Sequence, residues 1–157
     1  MAYFAVLAMT VIIDQVTKAW VMRSFELYQS KEVIPGLFNL VYVTNTGAAF
    51  SMLADVESPW KHYFFLLVGS GAIIGLTVVS FRMREDNRLY TIALALICGG
   101  AAGNIIDRVR FGSVVDFLDF YFREYHWPAF NIADSAICLG AGLFLIVNIF
   151  DSRKQKK

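Results

Sequence analysis

Apolar residues gather in four long stretches, Ala2–Met22, Tyr63–Phe81, Leu89–Ile106 and Ile132–Phe150. A bilayer core roughly 30 Å thick is crossed by about 20 apolar residues in a helix, so each stretch has the length of a membrane span. The second and third carry no charge, the first carries Asp14 and Lys18, and the fourth carries Asp134. The first stretch has no basic segment ahead of it, and two charges interrupt its apolar run. It therefore reads as a retained span rather than a cleaved signal peptide. Between the spans lie two long loops, 23–62 and 107–131, and one short loop. Pro35-Gly36 signals a turn. Leu37–Val43 and Gly112–Phe117 are rich in β-branched and aromatic residues, as strands are. The pattern predicts an α-helical polytopic membrane protein: a single membrane domain over residues 1–157, four transmembrane helices, and a small β-sheet in the extracytoplasmic loops.

Composition supports that class. Of the 157 residues 57% are hydrophobic and 17% charged, against about 25% charged in a soluble domain. Mean hydropathy is +0.55. A soluble chain this short has too much surface for its volume to bury so much apolar area. Disordered chains and disulfide scaffolds are excluded. A net charge of +1 leaves no basic excess to neutralise phosphates, so no nucleic-acid partner is expected.

Lysine and arginine set the orientation. Arg82, Arg84 and Arg88 crowd the short loop, and Arg153, Lys154, Lys156 and Lys157 crowd the tail. The long loops hold only Arg23, Lys31 and Lys61, and Arg108, Arg110 and Arg123. Both termini are thus expected in the cytoplasm and both long loops outside. Trp20, Trp60, Tyr63, Trp127 and Phe130 fall near span ends, where an aromatic belt sits. Gly71-x3-Gly75 and Gly99-x3-Gly103 have the spacing that lets helices approach closely, and Gly140 and Gly142 are candidates for the same role in the fourth span.

The polar residues carry more information. At a rise of about 1.5 Å per residue, Asp14 and Lys18 lie about 18 and 24 Å along the outward path of the first span. Asn104, Asp107 and Arg108 end the third span, and Asn131 and Asp134 open the fourth. Asp116 lies in the loop between. These groups therefore share one depth, near the outer membrane surface. Ionisable groups in spans are costly and commonly functional. Asp14 and Lys18, four apart, also fit a plain ion pair, and Asp107 beside Arg108 fits either interfacial charge or a local brace. Asp119 reads as a solvated loop carboxylate. Asp134, inside a span with no cation within four residues, reads as functional.

The inventory narrows the chemistry. His62 and His126 both fall outside the spans, and no His-Glu-x-x-His motif exists, so no metal is expected. A Ser–Lys pair of Ser135 and Lys18 is the weak remaining nucleophile. Cys98 and Cys138 read as free thiols. No glycine-rich phosphate loop is present, and no cofactor is expected. What remains is carboxylates, amide side chains and one arginine. A proton-coupled exporter has the spans and a membrane carboxylate, but needs neither structured outer loops nor a second aspartate at the same depth. A purely structural protein leaves that shared depth unexplained.

Five motifs follow in order: Asp14-Gln15-x-x-Lys18, Asn45-Thr46-Gly47-Ala48-Ala49-Phe50, Gly103-Asn104-x-x-Asp107-Arg108, Val114-Val115-Asp116-Phe117 and Phe130-Asn131-x-Ala133-Asp134-Ser135. With these motifs the chain resembles the bacterial signal peptidase II family, the prolipoprotein signal peptidases, over essentially its whole length. The resemblance implies an intramembrane aspartyl endopeptidase of the bacterial inner membrane. Its substrate is a prolipoprotein whose cysteine already carries diacylglycerol, and it cuts just before that cysteine. It implies a monomer in contact with membrane lipid. It places the catalytic pair on Asp116 and Asp134. It places substrate-binding residues on Asn45, Gly47, Asn104, Arg108 and Asn131, with Gly47 at the turn that shapes an outer flap. Asp14, Lys18 and Asp107 fall on supporting positions. Two close carboxylates in a low-dielectric site share a proton, which is the chemistry such a pair needs.

Overall fold

The structure is a computed structural model that describes residues 2–47, 59–82 and 88–154. Ala48, Ala49 and Phe50 of the second motif, together with Arg84, Lys156 and Lys157, lie outside the described residues. The elements are α1 (Ala2–Ser24), β1 (Ser30–Ile34), β2 (Phe38–Asn45), α2 (Pro59–Arg82), α3 (Arg88–Phe111), β3 (Val114–Phe122), β4 (Tyr125–His126) and α4 (Ile132–Lys154).

All four helices are long and apolar enough to cross a membrane. Each runs past its apolar stretch, because backbone hydrogen bonding continues where the hydrophobic pattern stops. Helix α2 opens at Pro59, a residue whose missing N–H is harmless in a first turn. It therefore takes in Lys61 and His62, the latter a correction to the expectation that both histidines lie outside the spans. Helix α3 continues through Asp107 and Arg108 to Phe111. It stops at Gly112, whose φ of +75° suits glycine and whose N–H donates to the Arg108 carbonyl at 2.9 Å. Asn131 caps α4. Its Oδ1 accepts from the Asp134 N–H at 3.0 Å, and Asp134 Oδ2 reaches back to the Asn131 N–H at 3.3 Å. This reciprocal pair is a capping box, legible in the Asn-x-x-Asp spacing.

Helix α3 is the centre of the bundle and packs against α1, α2 and α4. Toward its start, Leu94, Ala95 and Cys98 are buried with Tyr3 of α1, against Ile73 and Leu76 of α2 and Phe144 of α4. Small residues permit these approaches. A Cβ at Gly99 would meet Thr10 at 2.8 Å, one at Gly103 would meet Asp14 Oδ2 at 2.5 Å, and one at Gly140 would meet the Ala93 carbonyl at 2.6 Å. At Gly100 a Cβ would run into the Ala133 carbonyl. Gly71, Gly75 and Gly142 face open space instead. The spacing of the α2 pair identifies a helix face, but that face turns away from α3.

The four strands form one antiparallel sheet in the order β1-β2-β3-β4. Strands β2 and β3 extend the two predicted segments. β1 and β4 were not anticipated: β1 is exposed at every position, so it shows no alternation, and β4 is only two residues long. Asn45 pairs with Val114, Val43 with Asp116 and Asn39 with Asp119. Phe130 is tied to Leu118 by backbone bonds of 2.8 and 3.1 Å, which seats the start of α4 against β3. Gly100→Ala should destabilise by about 1–3 kcal/mol through overpacking at the α3–α4 crossing. Gly71→Ala and Gly75→Ala should leave thermal unfolding in detergent unchanged.

Candidate active site

Lys18 is a fully buried cation. Its ammonium is 1% exposed and has three partners: Asp14 Oδ2 at 2.9 Å, Asp107 Oδ2 at 2.8 Å and Asn104 Oδ1 at 3.0 Å. An ammonium has three protons, so all are used. Gln15 Nε2 adds bonds to Asp14 at 3.2 Å and Asp107 at 2.9 Å. The other carboxylate contacts are to backbone: Asp14 Oδ1 accepts from Ala133 N at 3.0 Å, and Asp107 Oδ2 from Val115 N at 3.2 Å. The expected Asp14–Lys18 pair forms. The Asp107–Arg108 brace does not, because successive helical residues project in different directions. Asp107 turns inward to Lys18, while Arg108 Nη2 donates to the Gly47 carbonyl at 2.7 Å and its guanidinium lies 4.9 Å from the centre of the Phe65 ring.

Above this cluster sit the two aspartates from the loop and the fourth span. Asp116, on β3, accepts from Asn131 Nδ2 at 2.7 Å and from the Asn45 side chain. Asp134, in the first turn of α4, accepts from Asn104 Nδ2 at 2.8 Å. Asn131 is fully buried, and its Nδ2 also lies 3.2 Å from both Asn104 Oδ1 and the Val115 carbonyl. Burial, and then the charge of Asp134, push the Asp116 carboxyl up to about 7. The Asn131 and Asn45 hydrogen bonds and the Lys18 charge pull the other way without cancelling this. Asp116 therefore holds a proton to near neutrality.

Asp116 and Asp134 both line a cavity of about 540 Å³, with Asn45, Asn104 and Arg108 on the same wall. Its remaining surface is largely apolar, from Phe65, Val68 and Gly69 of α2, Ala101 and Ile105 of α3 and Ile137 of α4. Asn131 stands behind the two aspartates rather than on the cavity. Gly47 meets the site through Arg108, and its N–H donates to Asn45 Oδ1 at 2.8 Å. No Ser–Lys pair forms among the described residues: Ser135 Oγ donates to the Asn131 carbonyl at 2.9 Å, whereas Lys18 is committed elsewhere. Sequence reasoning missed Phe65, the stacking partner of Arg108, which nothing in the motifs marks.

Asp119 is the clearest correction. Expected in solvent, it is only 6% exposed. It accepts from Asn39 Nδ2 at 2.9 Å, and His126 Nδ1 lies 2.9 Å from its Oδ1. Strand pairing sets it directly against Asn39, and the short β3–β4 hairpin returns His126 to it.

A bundle of four membrane-length helices, topped by a sheet and with two carboxylates from separate segments on one cavity, has the architecture of a multi-pass membrane protein with groups suited to acid–base chemistry. The comparisons agree. The family described as signal peptidase (SPase) II matches residues 6–150. A lipoprotein signal peptidase of Geobacter metallireducens is 48% identical over 97% of this chain and 93% of its own length. That of Haemophilus influenzae is 49% identical over 95% and 85%. A bacterial membrane enzyme solved by the in meso method at 2.3 Å resolution superposes with a TM-score of 0.83 at 35% identity, covering 99% of this chain and 92% of that one. A second such enzyme, at 1.9 Å resolution, gives 0.80 at 36% identity over 93% and 91%. The chain belongs to the signal peptidase II family: it is a bacterial multi-pass membrane protein and an aspartic-type peptidase.

The Asp119 contacts lie in the sheet, apart from the cavity. Asp119→Ala should lower stability by about 1–3 kcal/mol by leaving the buried Asn39 amide without its partner. Per folded molecule, peptide cleavage should stay near normal. Thermal unfolding and active-site-normalised turnover check the two halves separately.

Proposed function

We propose that Asp116 and Asp134 are the catalytic dyad with which this enzyme removes the signal peptide from prolipoproteins, cutting before a diacylglyceryl-modified cysteine. One observation carries the reading: residues eighteen apart in sequence face the same cavity through a shared partner, Asn131. Asp116 holds the proton and Asp134 is the base. Asp134 takes a proton from a water, whose oxygen attacks the scissile carbonyl carbon, while Asp116 gives its proton to the carbonyl oxygen. In the resulting diol, Asp134 passes its proton to the amide nitrogen and Asp116 recovers one from a hydroxyl. The C–N bond then breaks to release acid and amine.

Asn45, Asn104 and Arg108 share the cavity wall and are the substrate-binding residues. Asn131 acts from behind by orienting Asp116, and Gly47 by holding Arg108. Asp14, Lys18 and Asp107 support the site. The apolar part of the wall suits a lipid-modified substrate held in the bilayer. One copy of the chain supplies both aspartates and the cavity, which favours a monomer. The arginine and lysine distribution puts both termini in the cytoplasm of the bacterial inner membrane and the sheet and dyad at its outer face.

Replacing either aspartate by asparagine keeps shape and removes the titratable proton. Asp116→Asn and Asp134→Asn should each lower cleavage of a purified diacylglyceryl-modified prolipoprotein by about a thousand-fold or more, and the double variant should be no worse. Near-normal cleavage by either single variant would overturn the dyad.

The raised Asp116 pKa also has a stability consequence. Between the usual carboxylate range and about 7 the folded chain keeps a proton that the unfolded chain has released, so this group makes stability fall as pH rises through that window. Asp116→Asn should therefore raise the melting temperature at pH 8, by roughly 5 °C for a gain of about 2 kcal/mol. The difference should vanish once pH is below the usual carboxylate range.

Topology is checked independently. A reporter fused after Lys157 should lie in the cytoplasm, and one inserted at Asp55, outside the described residues, should lie on the far side.

A further inference from the structure

We propose that Lys18 is a positioning residue that sets both aspartates of the dyad at once, through three separate arms. The inference rests on the dyad reading above. The first arm is Asp14, which Lys18 holds at 2.9 Å and which grips at 3.0 Å the N–H of Ala133, the residue immediately before Asp134. The second is Asp107, held at 2.8 Å, which grips the Val115 N–H at 3.2 Å, immediately before Asp116. One ammonium thus links the backbone next to one aspartate to the backbone next to the other.

The third arm is Asn104. A side-chain amide has an accepting end and a donating end. Lys18 has only donors, so the Asn104 oxygen must face it, at 3.0 Å. The NH2 end is then aimed at Asp134 Oδ1, at 2.8 Å. Without Lys18 the Asn104 oxygen loses its cationic donor and keeps only the Asn131 Nδ2 contact at 3.2 Å, so the amide that donates to Asp134 is held less firmly. The charged and titratable groups around the pair are Asp14 and Lys18 from α1, Asp107 and Arg108 from α3 and Cys138 further along α4. The α2 wall contributes Phe65, Val68 and Gly69, which carry no charge.

An ordinary structural ion pair would support folding and leave the chemistry alone; a positioning residue acts on kcat. The test uses the full-length enzyme with diacylglyceryl-modified prolipoprotein. Asp14→Asn/Lys18→Met removes all three arms yet leaves the net charge of the Asp14–Lys18–Asp107 cluster unchanged, because one charge of each sign is lost. It should lower kcat by about 100-fold, the scale of a 1 Å misplacement, with KM within about threefold. A loss confined to KM, or a parental kcat, would overturn the proposal.

Should that variant fail to accumulate in membranes, Asp107→Asn decides. It leaves Lys18 paired with Asp14 and, of the three arms, loosens the one to Val115, together with the Gln15 contact. It should lower kcat about tenfold at unchanged KM, measured per folded molecule; parental kcat would overturn the proposal. The dyad reading is tested apart from this: it fails only if Asp116→Asn or Asp134→Asn still cleaves, whatever the Lys18 variants do.

Discussion

An ammonium buried between two carboxylates is the interaction on which the top of this bundle depends. Moving an ion out of water costs several kcal/mol even after relaxation, and removing one partner of a buried pair typically destabilises by about 3–5 kcal/mol. Lys18 meets that penalty by complete pairing. The two carboxylates in turn take their remaining bonds from Gln15 and from backbone N–H groups of β3 and α4. Helix α1, helix α3, the first residues of β3 and the start of α4 are therefore held by one network. Among the described residues no buried side-chain nitrogen or oxygen is left without a partner, as a medium that offers no water requires.

That network is possible because glycine thins the interface beneath it. Lipid tails are as apolar as the helices, so burial of apolar surface does not drive the helices together; close backbone approach and polar contacts must. Gly103 is where the two meet, since its missing side chain is the space occupied by the Asp14 carboxylate. Gly100 does the same for the backbone of α4 about one turn earlier along α3. Helix α2 packs on α3 without joining the ion cluster. Its face toward the proposed dyad is the apolar wall of the cavity, which leaves room there for a substrate.

The proposed dyad gains its asymmetry from this arrangement. Both aspartates come from helix-cap and strand positions with opposite surroundings. Asp134 belongs to a capping box and accepts a side-chain amide, whereas Asp116 is buried on a strand beside a like charge. Environment alone assigns the proton to one of two identical groups, which is how paired carboxylates divide acid and base roles.

Much of this was legible in the chain. The four apolar stretches have the one length a bilayer accepts, and a rise of about 1.5 Å per residue places Asp14, Lys18, Asn104, Asp107, Asn131 and Asp134 at one level whatever the packing. Order and spacing also marked the five motifs. Pairing was another matter. Helical spacing says which residues share a face but not what that face meets. Thus Asp107 passed over its neighbour Arg108 for Lys18 of another helix, and Gly71 and Gly75 face none of the other described residues closely. Asp119 looked like a solvated loop carboxylate because nothing near it in sequence reveals that β2 would set Asn39 opposite and that β4 would bring His126 back. Depth is a one-dimensional property, set by the count of residues along each span. Contact depends on helix rotation and strand register, and those are decided only when the separate segments pack together.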